Sequence, residues 1–483
     1  MKNLGAVNSA WHLSKISILT AILVAGHLSV PSATAQADPY SGYTGYSSSY
    51  FLEYANGTSF SPSNTSDVQV HVGIGGSSHL FNVDTGSRGL YASITELGSD
   101  VIGPGAYQGQ IELDSSGRLS TGMWTPTSLS FDVTDRSGQR TTVTSSANIL
   151  VVTTLSAQMG RTATFGINTS VAGYTGTVNL DGGGTVPVQY NSSTGEYYVE
   201  LTQNATINQQ ISYANNIAGL IKNVSNFGIG FDLNGAPGGT GPVGNNQNQI
   251  YNALINLDEM KTGSLVAGYI VKSTGIQLGL TSEDRGYAYT SLNPTGFTST
   301  NSVPDWQTPM GETTVHGVTH EPGSIVMDSG IDDAFISDPH LTIGDQVTDP
   351  IIVSLMNSEG LVGYHIDLSD TNNVLNPTSV LVVRPGTDGI YSQNQPPYQG
   401  QFFNTGRNVF KAFDMLYDAE NGYMGVITNS YGATDPNVFF AAQAGGFTNP
   451  IPEAKTAFML LLGLLAFLPF AISRSRKIRR QRS

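Results

Sequence analysis

Apolar residues alternate with polar ones along several stretches of the chain, a period of two that is typical of half-buried β-strands. The clearest runs lie at residues 68–74 and 129–133. Turn residues at 135–138 follow the second run, and another strand-like stretch spans 141–152, which together predict a hairpin. Two stretches have a helical pattern instead, Gln209–Lys222 and Gln249–Asp258. The pattern therefore predicts a mostly β protein.

The composition agrees with such a fold and excludes every function that needs cysteine. Charged residues make up 12% of the 483 residues and apolar residues 39%, so the chain can bury a core. The chain has no cysteine, which excludes disulfides, a thiol nucleophile and cysteine-ligated metal centres. This length accommodates two or three domains, or one large bilobal domain.

The beginning of the chain has the features of a secretory signal. A basic start and an apolar stretch at 16–26 precede small residues that end at Ala37, which predicts a signal peptide over residues 1–37. The apolar stretch is short for a first transmembrane helix, which is the alternative interpretation. The protein is therefore expected to be exported.

The end of the chain has the features of a sorting tail. Pro452-Glu453-Ala454 precedes an apolar run at 457–472 and a basic end, which predicts a membrane segment with its basic end on the cytoplasmic side. Residues 446–483 resemble a bacterial PEP-CTERM tail, which an exosortase-type enzyme processes, although Ala454 replaces the second proline of that motif. The resemblance implies attachment to the cell surface or membrane, or release after cleavage. A buried core helix is the alternative.

The charge is unevenly distributed along the sequence. The whole chain carries −15, with 36 acidic residues against 21 Lys and Arg. Eight of these cations lie in residues 1–37 and in the tail after Lys455, so the part between them keeps 13 cations against 36 acids, a net charge of −23. Such an acidic body argues against nucleic acid as a partner.

One short pattern occurs twice, at a constant offset of 244 residues. Asp84-Thr85-Gly86-Ser87 follows an apolar strand in the first copy, and Asp328-Ser329-Gly330 does so in the second. An aromatic residue and a serine then recur at matched positions in both copies. A single Asp-Thr-Gly is an ordinary turn sequence, but two matched copies indicate two equivalent halves that each supply one Asp.

Two adjacent carboxyl groups provide a known kind of acid–base chemistry. At about 3 Å they cannot both ionise, so one retains its proton. The ionised group takes a proton from a water that attacks a carbonyl carbon, and the protonated group donates to the developing oxyanion. The Thr85 and Ser329 hydroxyls are placed to lock the two loops together. This chemistry requires neither a metal nor a cofactor, so we predict neither.

With these motifs, residues 50–428 resemble a pepsin-type aspartic protease. Segments such as Phe227–Phe231 and Gly406–Phe410 follow in the order that this family has. The resemblance implies a bilobal fold of two six-stranded-type β-barrel lobes, with an N-terminal lobe at 38–285 and a C-terminal lobe at 286–445. It also implies a monomeric endopeptidase that holds a polypeptide substrate in the cleft between the lobes. The implied site consists of catalytic Asp84 and Asp328, supported by Thr85, Gly86, Ser87, Ser329 and Gly330.

The sequence departs from the family at positions that would contact substrate. Tyr91 stands where relatives usually have tryptophan, and the candidate flap hairpin, Tyr107–Trp124, lacks a clear counterpart of the family's flap tyrosine. Leu113 is the candidate for that position, with Tyr107 or Trp124 as substitutes. We therefore take Tyr91, Leu113 and Ile331 as the candidate substrate-binding residues.

The second motif also departs from the family beside its Asp. Ile331 replaces a hydroxyl residue, and Asp332 and Asp333 follow it. A missing hydroxyl donor and two added acids are expected to raise the apparent pKa of the carboxyl pair. The sequence thus predicts a pH optimum less acidic than that of pepsin.

Three other functions stay open at this point. A catalytically weak or inactive surface-binding protein on the same fold would account for Ile331 and the unusual flap. A metal-assisted hydrolase would use His316 and His320, which are four residues apart but lack the glutamate of the HExxH pattern. A structural cell-surface β protein would account for the acidic composition but leaves the paired motifs unexplained.

Overall fold

The computed structural model describes the body of the chain with several gaps. The described residues are 43–64, 66–113, 116–157, 162–167, 175–192, 195–202, 204–208, 224–231, 251–298, 303–320, 322–355, 362–383 and 402–440. All of them belong to one structural unit, Gly42–Ala444. The predicted signal peptide, the sorting tail and the helix at 209–222 lie outside them. Within the described ranges, no helix has the length and apolar character needed to cross a membrane.

Short strands dominate the described residues, and the helices among them are single turns. The first seventeen strands are β1 (Tyr50–Glu53), β2 (Gln69–Ile74), β3 (Ser77–Asp84), β4 (Arg88–Ser93), β5 (Tyr107–Leu113), β6 (Arg118–Asp135), β7 (Arg140–Ala157), β8 (Thr162–Ile167), β9 (Thr177–Asn179), β10 (Thr185–Pro187), β11 (Gln189–Asn191), β12 (Glu196–Thr202), β13 (Ile207–Asn208), β14 (Asn226–Ile229), β15 (Val266–Lys272), β16 (Gly275–Leu280) and β17 (Ala288–Ser291). The others are β18 (Pro294–Thr298), β19 (Pro304–Trp306), β20 (Met310–Val315), β21 (Val318–Thr319), β22 (Gly323–Val326), β23 (Ala334–Ser337), β24 (Ile351–Ser354), β25 (Val362–Ile366), β26 (Val380–Val382), β27 (Phe402–Asn404), β28 (Phe413–Asp418), β29 (Tyr423–Thr428) and β30 (Val438–Phe440). The helices are α1 (Ile94–Leu97), α2 (Asp258–Lys261) and the 3-10 turns Ala55–Gly57, Ser99–Val101, Ala253–Ile255 and Arg407–Lys411.

The strand order repeats in the two halves of the chain. Six strands run β7-β4-β14-β3-β2-β6 in the first half, and six run β26-β23-β27-β22-β20-β24 in the second. Neighbouring strands are parallel, antiparallel, parallel, antiparallel and antiparallel along both paths. In the first half β6 also pairs with β7, which closes that set into a barrel. The predicted mostly β, bilobal fold is confirmed, whereas the lobe boundaries at 285/286 stay a prediction.

A second set of strands joins the two halves. The first sheet continues from β6 through β1, β16, β15, β28, β29 and β17. Strands β28 and β29 follow the second half in sequence, and β28 pairs with β15 of the first half over Gly268–Val271. A chain without cysteine thus ties its halves together through main-chain hydrogen bonds and packing.

Alternation along the strands explains where the core lies. In β2, Val70, Val72 and Ile74 are buried while the residues between them are more exposed, as a period of two requires. The predicted hairpin is β6 and β7, and its turn is fixed by Asp135, whose carboxylate accepts from the N–H groups of Ser137 and Gln139. These strand predictions are confirmed.

The predicted helix at Gln249–Asp258 is shorter and later than expected. Within its described part, Ala253–Ile255 is a 3-10 turn and α2 begins only at Asp258. The Asn252 carboxamide accepts from the Leu254 N–H, and Leu257 between the two turns is extended and fully buried. The Asn256 carboxamide donates to the Asn252 carbonyl at 2.7 Å. In an α-helix that carbonyl would accept from the Asn256 N–H, and such side-chain bonds compete with helix formation.

Candidate active site

Each Asp of the repeated motif lies where one strand ends and the chain turns towards a strand two places away in the sheet, with β14 between β3 and β4 and β27 between β22 and β23. Asp84 is the last residue of β3, and the chain then enters β4; Asp328 follows β22 and precedes β23. Asp84 is 8% exposed and Asp328 5%. The repeated strand order therefore brings two buried carboxyl groups from distant parts of the sequence to equivalent places.

Each carboxyl group is bonded to the glycine N–H of its own turn and lies against the glycine of the opposite turn. The Gly86 N–H donates to Asp84 Oδ1 and the Gly330 N–H donates to Asp328 Oδ1, both at 2.8 Å. A Cβ on Gly330 would lie 2.6 Å from Asp84 Cγ, and a Cβ on Gly86 would overlap the Asp328 carboxyl group. The two carboxyl groups interact, since the charge of Asp84 raises the pKa of Asp328. Each glycine thus leaves the space that the opposite carboxyl group occupies.

Thr85 and Ser329 hold the two loops together reciprocally. The Thr85 N–H donates to Ser329 Oγ at 3.0 Å, and the Ser329 N–H donates to Thr85 Oγ1 at 2.8 Å. Each hydroxyl then donates across to a carbonyl of the other half, Thr85 to Met327 and Ser329 to Val83. These four buried hydrogen bonds fix the distance between the loops, as their sequence suggested.

Two asparagines complete the carboxyl environment, and the sequence reasoning missed them. The Asn226 carboxamide donates to Asp84 Oδ2 at 2.9 Å, and the Asn404 carboxamide donates to Asp328 Oδ2 at 2.7 Å. They lie at equivalent positions of the two halves, because Asn226 on β14 pairs with Asn82 and Asn404 on β27 pairs with Val326, which lies 244 residues after Asn82. The available signal was a second repeated pattern, Asn-x-Gly, at Asn226–Gly228 and at Asn404–Gly406.

The electrostatics of the pair are asymmetric. Burial, and then the charge of Asp84, raise the pKa of Asp328 above its ordinary range, although the donors Asn404 and Gly330 act in the opposite direction. Ser87 adds a hydroxyl donor to Asp84 Oδ2 at 2.6 Å, and Ile331, which stands 244 residues further on, has no such group. Asp84 therefore has three donors and Asp328 two, which makes Asp328 the better proton carrier.

The acids that follow Ile331 have compensating partners. Asp332 forms an ion pair with Arg407, and Asp333 accepts a 2.7 Å hydrogen bond from Ser379. The expectation that they raise the pKa of the pair needs correction, because burial and the Asp84 charge are the leading causes.

Buried arginines flank the motif in both halves. Arg88, directly after Ser87, forms an ion pair with Asp305. Arg407 bonds both Asp332 and Asp67, so it connects the second motif with the first half of the chain. The Arg88 and Arg407 side chains are only 8% and 7% exposed. Arg88 and Asp332 each lie four residues after a motif Asp, and sequence spacing alone did not reveal their partners.

The candidate substrate-binding residues occupy different environments. Leu113 and Ile331 are half-buried, and Leu113 ends the hairpin of β5 and β6, where it pairs with Arg118. Tyr91 is 4% exposed and packs in a hydrophobic cluster that includes Trp124, which is fully buried. This burial argues against direct substrate contact by Tyr91, and against Trp124 as a flap residue.

The two histidines considered as metal ligands have separate partners. His316 Nε2 lies 2.7 Å from Asp349, with both side chains exposed, whereas His320 Nδ1 lies 2.7 Å from buried Asp338. The alternative of a metal-assisted hydrolase that uses His316 and His320 together is not supported, because each histidine contacts its own carboxylate. A different group, His320, Asp338 and His340, brings its nitrogen and oxygen atoms within 4.8 Å of one another.

No protein-family model matches the sequence, and no curated protein matches it. Among solved structures, the crystal structure of the aspartic proteinase from Irpex lacteus aligns with 80% of this chain and 99% of its own. The sequence identity is 12% and the TM-score 0.37. The function must therefore be inferred from the contacts of the site.

Proposed function

We propose that the protein is an aspartic endopeptidase that hydrolyses peptide bonds with a water activated between Asp84 and Asp328. The observation that carries the proposal is the reciprocal placement of the two carboxyl groups, each against the glycine of the opposite loop. Two carboxyl groups placed so close together retain one proton on one group while the other is ionised. That state provides a base and an acid within reach of one water.

The unequal number of hydrogen-bond donors suggests which carboxyl group acts as the base and which as the acid. Asp84 accepts from Gly86, Ser87 and Asn226, so it is the better place for the negative charge and acts as the base. Asp328, whose pKa is raised, keeps the proton and donates to the oxyanion as the carbonyl becomes tetrahedral. In the next step the proton taken from water passes to the leaving amine, and the peptide bond breaks.

The cleft between the two halves would hold the substrate as an extended polypeptide. The hairpin of β5 and β6 supplies Leu113 near its tip, and Ile331 lies three residues after Asp328. Both are apolar and half-buried, which favours apolar side chains on either side of the scissile bond. We further propose export and membrane attachment of a monomer, supported by residues 1–37 and 446–483 of the sequence.

The direct test is peptide hydrolysis by the purified body of the chain, residues 38–445, compared with the full-length protein. Casein and a mixed peptide library, incubated from pH 3 to 8, should be cleaved, and pepstatin should block cleavage. Asp84→Asn and Asp328→Asn should each abolish it, while Asp345→Asn, which changes an exposed side chain, should not. Equal cleavage by the Asp84→Asn and unsubstituted proteins would refute the proposal.

A surface-binding protein without catalytic activity is the second candidate. It is favoured by one observation, the replacement of a hydroxyl by Ile331 beside Asp328. In that case peptides would be retained on the immobilised protein and recovered intact at every pH. The unsubstituted protein and Asp84→Asn would then retain peptides equally and cleave none, whereas the unsubstituted endopeptidase cleaves them and Asp84→Asn does not.

A further inference from the structure

A second cluster of ionisable side chains lies on the segments that flank the Asp328 loop. Asp338 is at its centre, with a side chain that is 0% exposed. Its Oδ2 lies 2.7 Å from His320 Nδ1, and its Oδ1 lies 3.0 Å from His340 Nδ1. The His340 N–H also donates to Oδ1 at 2.8 Å. One carboxylate is therefore shared between two imidazole rings.

The three side chains differ in solvent exposure in a way that suits ion binding. His320 is 6% exposed and Asp338 is fully buried, so both are held by their surroundings, whereas His340 is 74% exposed. An ion can therefore enter from the His340 side, and that ring can adjust around it. The open side also leaves room for water as a further ligand.

The donor set is that of a zinc site. Two imidazole nitrogens and a carboxylate oxygen are common protein ligands of Zn²⁺, at roughly 2.0–2.2 Å from the ion. Tetrahedral ligands at those lengths are roughly 3.4 Å apart. One ligand atom from each of the three side chains lies within 4.8 Å of the others, and the exposed His340 ring can move as the set adjusts to an ion.

The position of the cluster in the fold means that a bound ion would constrain the segment that carries Asp328. His320 precedes β22, the strand that leads to Asp328, and Asp338 and His340 follow β23, the strand that leaves the loop. An ion shared by these residues closes the segment from 320 to 340, with Asp328 near its middle. Closing a loop in the native state favours folding and restricts the motion of the chain within it.

We propose that His320, Asp338 and His340 bind one Zn²⁺ ion that clips together the two strands flanking the Asp328 loop. The ion is structural in this role and takes no part in peptide hydrolysis. The proposal is therefore independent of the endopeptidase function, and either can fail without the other.

Calorimetric titration of the full chain with ZnCl₂ at pH 7.5 tests the site. We expect one ion per chain and, at a hundredfold excess of zinc over the dissociation constant, a rise in Tm of about 3 °C. His340→Ala removes an exposed ligand without disturbing the core, and should weaken zinc binding at least about tenfold. CaCl₂ should produce neither signal, because Ca²⁺ prefers sets of six or more oxygen ligands.

His316→Ala is the matched control, because His316 is an exposed histidine four residues from His320 with its own carboxylate partner. It should bind zinc as the unsubstituted protein does. Absence of stoichiometric zinc binding by the unsubstituted chain would overturn the proposal. So would equal affinities of the His340→Ala and unsubstituted proteins, or an equal loss in His316→Ala.

Discussion

The hydroxyl of Ser87 donates a 2.6 Å hydrogen bond to Oδ2 of Asp84. At the matching position beside Asp328, Ile331 offers no donor, although the asparagine and glycine donors are the same in both halves. A nearly two-fold arrangement is thus broken at one side chain. This difference favours Asp328 as the carboxyl group that retains a proton, and it makes the pH behaviour of the pair testable.

Ile331→Ser should move the alkaline limb of activity to lower pH. Burial and the Asp84 charge raise the pKa of Asp328, so the protonated working state persists to higher pH than for an ordinary carboxyl group. A serine hydroxyl that donates to the ionised form would lower that pKa, by about one unit if the bond has the strength usual for a charged acceptor. The measurement is kcat/KM against pH.

Ile331→Val serves as the control for this shift, because it keeps the side chain branched and apolar. Its pH limb should coincide with that of the unsubstituted protein. A wild-type profile that peaks below about pH 3 would contradict the raised pKa of the pair.

Asp328→Asn should gain stability relative to the unsubstituted protein as the pH rises. Because the folded-state pKa of Asp328 is raised, the native state binds this proton more tightly than the unfolded state. This group contributes its full stabilisation at pH values below the pKa that it has in the unfolded chain. The stabilisation is lost as the pH rises through the pKa of the folded state, and it amounts to ~1.4 kcal/mol for each unit between the two pKa values. Urea unfolding at pH 4 and pH 8 measures the change.

The same pair of measurements on Asp345→Asn, an exposed acid, provides the baseline. The unfolding free energies of the Asp328→Asn and unsubstituted proteins could instead change by the same amount between pH 4 and pH 8. That result would show that Asp328 does not hold the proton as described.

Gly330→Ala should abolish most activity while leaving the fold intact. Its new Cβ would lie 2.6 Å from Asp84 Cγ, so the carboxyl group must move, and displacements of about 1 Å at a reacting centre cost ~10²-fold in rate. Gly103→Ala is the control, since nothing lies within 4 Å of the Cβ it would add. Peptide hydrolysis and circular dichroism are compared for both. Retention of full activity by Gly330→Ala would contradict the close approach of the two loops.

Arg407→Gln should destabilise the protein by about 2 kcal/mol, because it leaves Asp67 and Asp332 without their shared cation. The Arg407 side chain is 7% exposed, whereas the two carboxylates are 37% and 46% exposed and can regain water, which keeps the cost below that of a fully buried pair. Arg136→Gln breaks an exposed ion pair with Glu283 and should cost about 0.5 kcal/mol or less. Equal urea midpoints for the two variants would refute the linking role of Arg407.

The sequence anticipated the features that depend on local order. Alternation predicted β2 and the hairpin of β6 and β7, because burial on one face of a strand imposes a period of two. The repeated motif at Asp84 and Asp328 predicted two equivalent halves, and the six-strand order found in each half agrees with it. The helix expected at Gln249–Asp258 is present only in part among the described residues, because the Asn256 side chain and a buried extended Leu257 interrupt it.

What the sequence determined by itself was the presence of two matched Asp turns in a mostly β chain. Tertiary structure decided which other groups reach those carboxyl groups. Asn226 lies 142 residues from Asp84 and Asn404 lies 76 residues from Asp328, and parallel strand pairing brings each beside its partner. It likewise gave Asp332 its cation in Arg407 and joined His320 to Asp338 rather than to His316. Hydrogen bonds and ion pairs depend on distance in space, and in a sheet of non-sequential strands only the folded chain sets that distance.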